Sequence, residues 1–311
     1  MDRLSDIALF LKVLDLGSIS AAARNLDLSV AVASRRLQRL EQELGVRLLH
    51  RTTRHVRATT EGSALAVQGR ALVEDLEALT SDLRRGGTEV SGTLRISTSP
   101  TFGRLYISPR VPEFLALHPN IKLSIHFSDE MIDLVAAGFD MAIRIGTLDH
   151  SGLVAHRLAT NQRVLCASPT YIARHGAPAT PADLERHQCL VQIGAQGKPN
   201  TWRLKDSTGQ EIAVRTNSRL ESNLAESLRE AALAGLGIAL HSTWHIRDDL
   251  RAGRLQVVLS DYPVADTAIH AVMPQQRLAP ARVRAFIEFL ADYFADEPPW
   301  HPGPCEPPRT I

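Results

Sequence analysis

Eight arginines fall between Arg24 and Arg57 (24, 35, 36, 39, 47, 51, 54 and 57), against Asp27, Glu41 and Glu43, in a chain of 311 residues whose net charge is only +1. A guanidinium carries a rigid fork of donors that matches phosphate oxygens and the O6/N7 edge of guanine. A local excess of arginine is therefore the chemistry of duplex DNA. By itself the run also fits a solvated basic face, since the whole chain is arginine-rich and lysine-poor. What decides is the kind of element that carries these residues.

Leu4, Ile7, Ala8, Leu11 and Leu14 recur at helical spacing and stop at Gly17, which predicts a helix over residues 3–16 with a glycine C-cap. Ser18 and Ser20 are candidate N-caps for a short alanine-rich helix ending near Leu26, and Asp27-Leu28-Ser29 reads as a turn. Ser29 then caps a third helix that runs to Leu44 and closes at Gly45. Ala33, Leu37, Leu40 and Leu44 form its expected buried stripe. Val30, Ala31, Ser34, Arg35, Gln38 and Arg39 are left for DNA, small near the N-terminus and polar beyond, as a helix needs if its first turns enter the major groove. From the helix alone, a surface helix of any globular domain fits equally well. The segment 46–60 has β-branched and basic residues and no helical stripe, so it reads as a basic wing with Arg51, Thr52, Thr53 and Arg54 placed to hold phosphates or reach the minor groove.

The run SISAAARNLDLSVAVASRRLQRLEQELGVRLLHRTTRHVRATTEG resembles, in order and without gaps, the DNA-binding domain of the LysR-type transcriptional regulators. The family's motifs stand here as Ala22 and Ala23, Ser34 and Arg35, residues 40–45, Arg51, and Thr60 with Glu61. Two positions depart from it. Many members have Gln and Ser where this chain has Val30 and Ala31, which suggests apolar contact, for instance with a thymine methyl. The usual Thr-Glu-Ala-Gly is Thr60-Glu61-Gly62-Ser63, a looser expected entry to the next helix.

From Thr60 onward, Leu65, Leu72 and Leu79 interleave with Gly69, Leu76 and Leu83 as an a/d seam of about three heptads. Its simplest use is pairing with a second copy of the chain through Leu65, Leu72, Leu76, Leu79 and Leu83. That would set two recognition helices roughly 34 Å apart. Packing on its own chain is the alternative. Gly86-Gly87-Thr88 ends the helix.

Beyond Gly92 strands and helices alternate. Strands are predicted over 94–97, 121–127, 141–145, 164–166, 212–214, 238–240 and 268–273, with helices near 111–117, 131–137 and 281–294. This is the signature of βαβ units and a mostly parallel sheet, with crossovers between two lobes near Asn161 and Ala265. GTLRIS, FDMAIRIG, RVLCASPTYIARHG and EAALAGLGIAL resemble the LysR effector-binding domain, itself similar to periplasmic solute-binding proteins, and HRTTR with SPTFGR marks a subgroup. The resemblance covers residues 1 to about 292 and implies an α plus α/β architecture. It comprises a winged helix-turn-helix over 1–60, a linker helix over 61–88 and a two-lobed effector domain over 89–295. Lobe I spans about 92–161 and 267–295, lobe II about 162–266, and a Pro-rich tail covers 296–311.

Ligands of open α/β lobes bind beyond the carboxyl ends of strands. Ser99, Pro100, Thr101 and Phe102 follow the first strand and offer hydroxyls and amides to an anionic group. The resemblance adds Thr147 as a second ligand-facing position and Trp202, Asn223 and His241 from the other lobe. His241 stands where relatives often have proline. Each has a structural alternative: strand-end hydroxyls cap turns, and a tryptophan fills cores.

The first residues lack a basic n-region and cleavage site, and there is no apolar run of bilayer length, so a cytoplasmic protein without a membrane partner is expected. Cys166, Cys189 and Cys305 are odd in number and widely spaced, which argues for reduced structural thiols over a disulfide frame or metal site, with a redox role for Cys166 or Cys189 the lesser alternative. Prolines 298, 299, 302, 304, 307 and 308 preclude a helix or inner strand in the tail, which reads as disordered or extended. No phosphate-binding glycine loop, zinc spacing or Gly-x-Ser-x-Gly supports an enzyme. A solute-binding protein would leave the wing and leucine seam unused. The expected partners are double-stranded promoter DNA, further copies of the chain in a homodimer or homotetramer, a small-molecule effector and, as a candidate, RNA polymerase. No cofactor or metal is expected.

Overall fold

The computed structural model describes residues 3–51, 56–84, 90–148, 152–193, 201–275, 279–295, 298 and 300. Three helices open the chain: α1 (Arg3–Leu16), α2 (Ile19–Asn25) and α3 (Val30–Leu44). Ser18 Oγ accepts the Ala21 N–H at 3.3 Å and Ser29 Oγ the Val32 N–H at 3.3 Å, so each serine satisfies an orphan donor at its helix start. Leu9, Phe10, Val13, Ala22, Ala23, Ala33, Leu37 and Leu40 close into one core. Leu44, expected in that stripe, is 46% exposed. The last turn of α3 runs past the three-helix core before Gly45 reverses the chain at φ 69°.

Strands β1 (Leu49–Arg51) and β2 (Val56–Ala58) pair antiparallel, with Leu49 opposite Ala58. Helix α4 (Thr60–Arg84) follows. Thr59 holds this junction, because its hydroxyl donates to the Arg47 carbonyl at 2.7 Å and accepts the Gly62 N–H at 2.9 Å. Gly62 lies so near Leu48 that a Cβ would stand 2.0 Å from the Leu48 oxygen. The glycine expected to loosen this entry therefore permits a close approach of helix and wing.

The described residues from Gly92 onward form two lobes. Strands β3 (Gly92–Thr98), β4 (Ile121–Phe127), β5 (Met141–Gly146) and β6 (Leu153–Asn161) belong to the first. Strands β7 (Arg163–Ala167), β8 (Cys189–Gln192), β9 (Thr201–Lys205), β10 (Glu211–Arg215), β11 (Ser218–Ser222), β12 (Ile238–Ser242) and β13 (Gln256–Val258) belong to the second, and β14 (Thr267–Pro274) returns to the first. The sheet orders are β4-β3-β5-β14-β6 and β11-β8-β12-β7-β13, with β9 and β10 a separate hairpin. Within each five-stranded sheet the first three strands are parallel and the last two pairings antiparallel. The sheets are thus more mixed than the alternating pattern predicts. The reason is that β6 and β14 carry the chain out of lobe I and back, side by side in opposite directions, without a helical crossover between them.

The helices of this half are α5 (Pro100–Phe102), α6 (Val111–Leu117), α7 (Pro169–His175), α8 (Ala225–Leu233), α9 (Thr243–Arg251) and α10 (Ala281–Ala295). Val283, Phe286 and Leu290 of α10 pack onto Leu94, Ile96, Met141 and Ile143 of the first sheet. Residues 131–137 do not form the expected helix. Asp133 Oδ1 accepts the N–H groups of Val135 and Ala136 at 3.0 and 3.1 Å, which closes a single turn that Gly138 ends at φ 70°. Val67 of α4 rests on this turn, and a cavity of about 250 Å³ lies between α4 and lobe I, lined by Leu72, Leu134, Met273 and Val283 among others.

Candidate functional site

On α3, Val30, Ala31, Arg35 and Gln38 are exposed together with the capping Ser29, and Ser34 is half-buried beside them. These residues share the outward face of the helix. The Arg35 Nε donates to the Ala31 carbonyl at 3.4 Å, which folds the side chain along its own helix. Arg39, expected among the DNA contacts, turns inward. It donates to Asp6 Oδ2 at 2.6 Å while Arg36 donates to Asp6 Oδ1 at 2.5 Å. Asp6 is 5% exposed. Burial alone would raise its pKa, but hydrogen bonds from Arg39 and Arg36 and their charges outweigh it and hold the carboxyl below its ordinary range.

Glu41, on the same helix, accepts the N–H groups of Leu48 and Leu49 through one carboxylate oxygen, at 2.8 and 3.1 Å. Wing and recognition helix are therefore tied by a side chain that periodicity does not single out. His50 and Arg57 face each other across the strand pair, and both are exposed, as is Arg47. Arg51 ends β1, whereas Thr52, Thr53 and Arg54 lie outside the described residues. Further along, Leu72 and Leu76 are 57% and 40% exposed. Leu65 is partly committed to the helix-turn-helix core, so it does not belong to a free seam. The side chains of Leu79 and Leu83 lie outside the description, as do Gly86, Gly87 and Thr88.

The effector candidates divide. Ser99 Oγ accepts the Phe102 N–H at 3.3 Å and Pro100 takes the first position of α5, so this hydroxyl is a cap. Thr101 and Phe102 are buried, and Thr147 is exposed just after β5. At the end of β3, the hydroxyls of Ser97 and Thr98 are buried without a hydrogen-bond partner among the described residues, as is Arg144 Nη2 on β5. Such groups need a ligand or water. The sequence signal was only their place at a strand end.

Trp202 does not reach the cleft. It is 5% exposed and packs with Leu204 and Val214 in the core of lobe II, the ordinary use of a tryptophan. Asn223 is exposed between β11 and α8. His241 is 3% exposed on β12 with Nε2 unpartnered, and its ring lies 5.1 Å from that of His245. Burial and the neighbouring His245 and Arg229 push its pKa down to about 3, so the imidazole is neutral. His245 stacks on Trp244 at 5.5 Å, and Trp244 meets Phe102 edge-on at 5.2 Å. Ring contacts thus run unbroken from Phe102 in lobe I to His241 in lobe II.

Two further contacts join the lobes. The Tyr106 hydroxyl donates to the Trp244 carbonyl at 2.7 Å, and Arg104 stands 3.9 Å from Glu226, which also pairs with His245 at 2.9 Å and Arg229 at 3.1 Å. Gly103 allows the loop its path: a Cβ there would stand 2.6 Å from Phe127 Cε1 and from Thr98 Cγ2. Cys166 and Cys189 are buried free thiols pushed up to about 12 by burial, far from the thiolate a redox sensor needs. Among the described residues, no three metal-ligating side chains gather and no helix is long and apolar enough to cross a membrane.

A helix-turn-helix with an arginine-bearing outer face, joined by one long helix to two α/β lobes meeting at a cleft, defines a ligand-sensing DNA-binding regulator. Residues 4–63 match the family described as bacterial regulatory helix-turn-helix protein, lysR family, and residues 87–295 match the LysR substrate binding domain. The chain belongs to the LysR family of transcriptional regulators. It is 36% identical over 296 residues to the HTH-type transcriptional regulator DmlR of Escherichia coli K12, covering 95% of this chain and 96% of the relative. It is 32% identical to the HTH-type transcriptional activator TtdR of the same strain, covering 92% of each. Among solved structures it resembles CrgA, a LysR-type transcriptional regulator from Neisseria meningitidis (TM-score 0.60, 30% identity, 94% of this chain and 99% of that one). It also resembles the full-length Vibrio cholerae virulence activator AphB (TM-score 0.58, 29% identity, 94% and 99%).

Proposed function

We propose that the exposed face of α3 reads promoter DNA in the major groove, with Ser29, Val30, Ala31, Ser34, Arg35 and Gln38 toward the bases. Arg47, His50, Arg51 and Arg57 of the wing, with Thr52, Thr53 and Arg54 of the same sequence segment, hold the flanking phosphates. The observation that carries this reading is the division of labour on α3: Arg36 and Arg39 are spent on Asp6, while Arg35 and Gln38 stay outward. Val30 and Ala31 let the helix backbone approach a thymine methyl. Two copies pair through Leu72 and Leu76 and the seam beyond them, which presents two such helices to successive turns of the duplex.

In the same reading a small-molecule effector occupies the cleft where α5, Thr147 and the unpartnered hydroxyls of Ser97 and Thr98 meet lobe II. It acts by favouring one lobe arrangement, because only differential affinity shifts such an equilibrium. The test is promoter binding measured across ionic strength. Affinity for a duplex from beside the chain's own gene is expected to fall steeply with salt, with a slope of about −0.9 per phosphate neutralised. A salt-independent or undetectable interaction at low ionic strength would remove the reading.

A further inference from the structure

The proline-rich segment after α10 reads from its sequence as disordered or extended, yet Trp300 is 4% exposed. Its ring lies 4.7 Å from Tyr106, 5.3 Å from Phe294 and 5.8 Å from Phe102, the first and last of these in edge-on geometry. A proline-rich chain can form neither a helix nor an inner strand, so a large buried side chain is its available anchor. The place of anchorage is informative. Phe102 belongs to the loop read above as the effector loop, and Tyr106 donates to the Trp244 carbonyl in lobe II at 2.7 Å.

Trp244 in turn sits on the joint between lobes. Its indole N–H donates to Asn161 Oδ1 at 2.9 Å, and Asn161 Nδ2 donates to Thr267 Oγ1 at 2.8 Å. Asn161 is the last residue of β6 and Thr267 the first of β14, so one tryptophan holds both strands by which the chain leaves and re-enters lobe I. The neighbouring Thr243 N–H donates to the Gln162 carbonyl at 2.9 Å, inside the first crossover. Residues 103–107 form a π-helical turn, a rare conformation that recurs frequently at functional sites. Trp300 lies against the Tyr106 ring of that turn.

We propose that Trp300 is a positioning residue for the effector loop and the inter-lobe hinge, so that the C-terminal segment takes part in the effector response. Through Phe102 it fixes the loop after β3. Through Tyr106 it fixes the lobe II tryptophan that clamps both crossovers. The functional consequence rests on the reading of residues 99–102 as the effector loop; the mechanical claim does not.

The experiment is amide hydrogen exchange, followed by mass spectrometry, on the full-length protein without ligand, comparing wild type with Trp300→Ala, Trp300→Phe and Tyr106→Phe. In Trp300→Ala, residues 100–107 and 243–246 are expected to exchange about tenfold faster, while strands 92–98 and 121–127 of the same lobe and the recognition helix 30–44 keep their rates. Trp300→Phe is expected to restore most of the protection. Tyr106→Phe, which keeps the ring and loses the bond to Trp244, is expected to speed 243–246 and spare 92–98. Uniform acceleration through lobe I would show a core filler without a positioning role. Unchanged rates at 100–107 and 243–246 would equally overturn the proposal. Either result leaves the effector reading standing, since that fails separately, by a ligand found to contact other residues.

Discussion

Asp6 accepts the Arg36 guanidinium at 2.5 Å, so a carboxylate in the first turn of the first helix sets the roll of the recognition helix. Arg39 meets the other oxygen at 2.6 Å. The pairing draws Arg36 and Arg39 to one flank of α3 and leaves the outward face, away from Ala33, Leu37 and Leu40, to Arg35 and Gln38.

Replacing Asp6 with Ala strands two guanidinium groups against a buried site. Both keep some exposure, 25% and 34% of their side chains, so the cost is expected somewhat below the roughly 3 to 5 kcal/mol of a fully buried broken pair, about 2 to 3 kcal/mol. Chemical denaturation of the full-length protein measures it. A loss under about 0.5 kcal/mol, the range of surface substitutions, would show that packing alone orients α3.

Arg35→Ala removes an exposed side chain whose hydrogen bond among the described residues runs along its own helix, to the Ala31 carbonyl. Folding stability is expected to stay within about 0.5 kcal/mol of wild type. Promoter affinity is expected to fall by about 1 to 3 kcal/mol with relaxed preference at one base position. Titration against a panel of single-base operator variants checks this, and an unaltered preference would strike Arg35 from the base-reading residues.

Leu72 and Leu76 are exposed, and glutamate at both should be tolerated by the folded chain. Burying those charges in a seam between two copies is not tolerated. Sedimentation is expected to show monomer at concentrations where wild type is oligomeric, and promoter affinity is expected to drop about 100-fold or more as two-site binding is lost. An unchanged oligomeric state would place the subunit contact elsewhere.

His241 gives the fold a pH dependence with a definite sign. Its folded pKa is about 3 against an ordinary 6.5, because burial disfavours the imidazolium and Arg229 and His245 face it while Asp249 only partly offsets them. The unfolded chain therefore binds a proton below pH 6.5 that the folded chain refuses. The stabilisation is complete above that pH and is lost progressively as pH falls toward 3, at about 1.4 kcal/mol per pH unit. Urea unfolding at about pH 7 and about pH 5 is expected to show a stability drop some 2 kcal/mol smaller in His241→Leu than in wild type. Equal drops would mean that the ring takes up its proton within the fold.

Local devices were legible in the order of residues alone. Ser18 and Ser29 cap helices through bonds that span three residues, and Gly45 closes α3 in the left-handed region. The strand at 121–127 is written in apolar-polar alternation and that at 141–146 in a mostly apolar run. These features depend on neighbours within a turn or a pleat, which is why spacing reveals them. Where local signals compete, as in residues 131–137, an Asx turn and a glycine prevailed over an apolar pattern too short to carry a helix.

The amino-acid order alone settled the helix-turn-helix, its wing, the linking helix and an α/β half, because each of these is specified by periodicity and capping at short range, while the DNA-reading and sensing roles came from the resemblance to a known family. Packing settled the rest. The bond of Arg36 to Asp6 spans 30 positions, that of Trp244 to Asn161 spans 83, and that of Tyr106 to Trp244 spans 138. Only tertiary structure could show that Arg39 faces inward, that Trp202 fills a core, and that Trp300 lodges beside the hinge. Chain separation of that order leaves no periodic trace, since which side chains meet is fixed by how buried surfaces fit together once the lobes have formed.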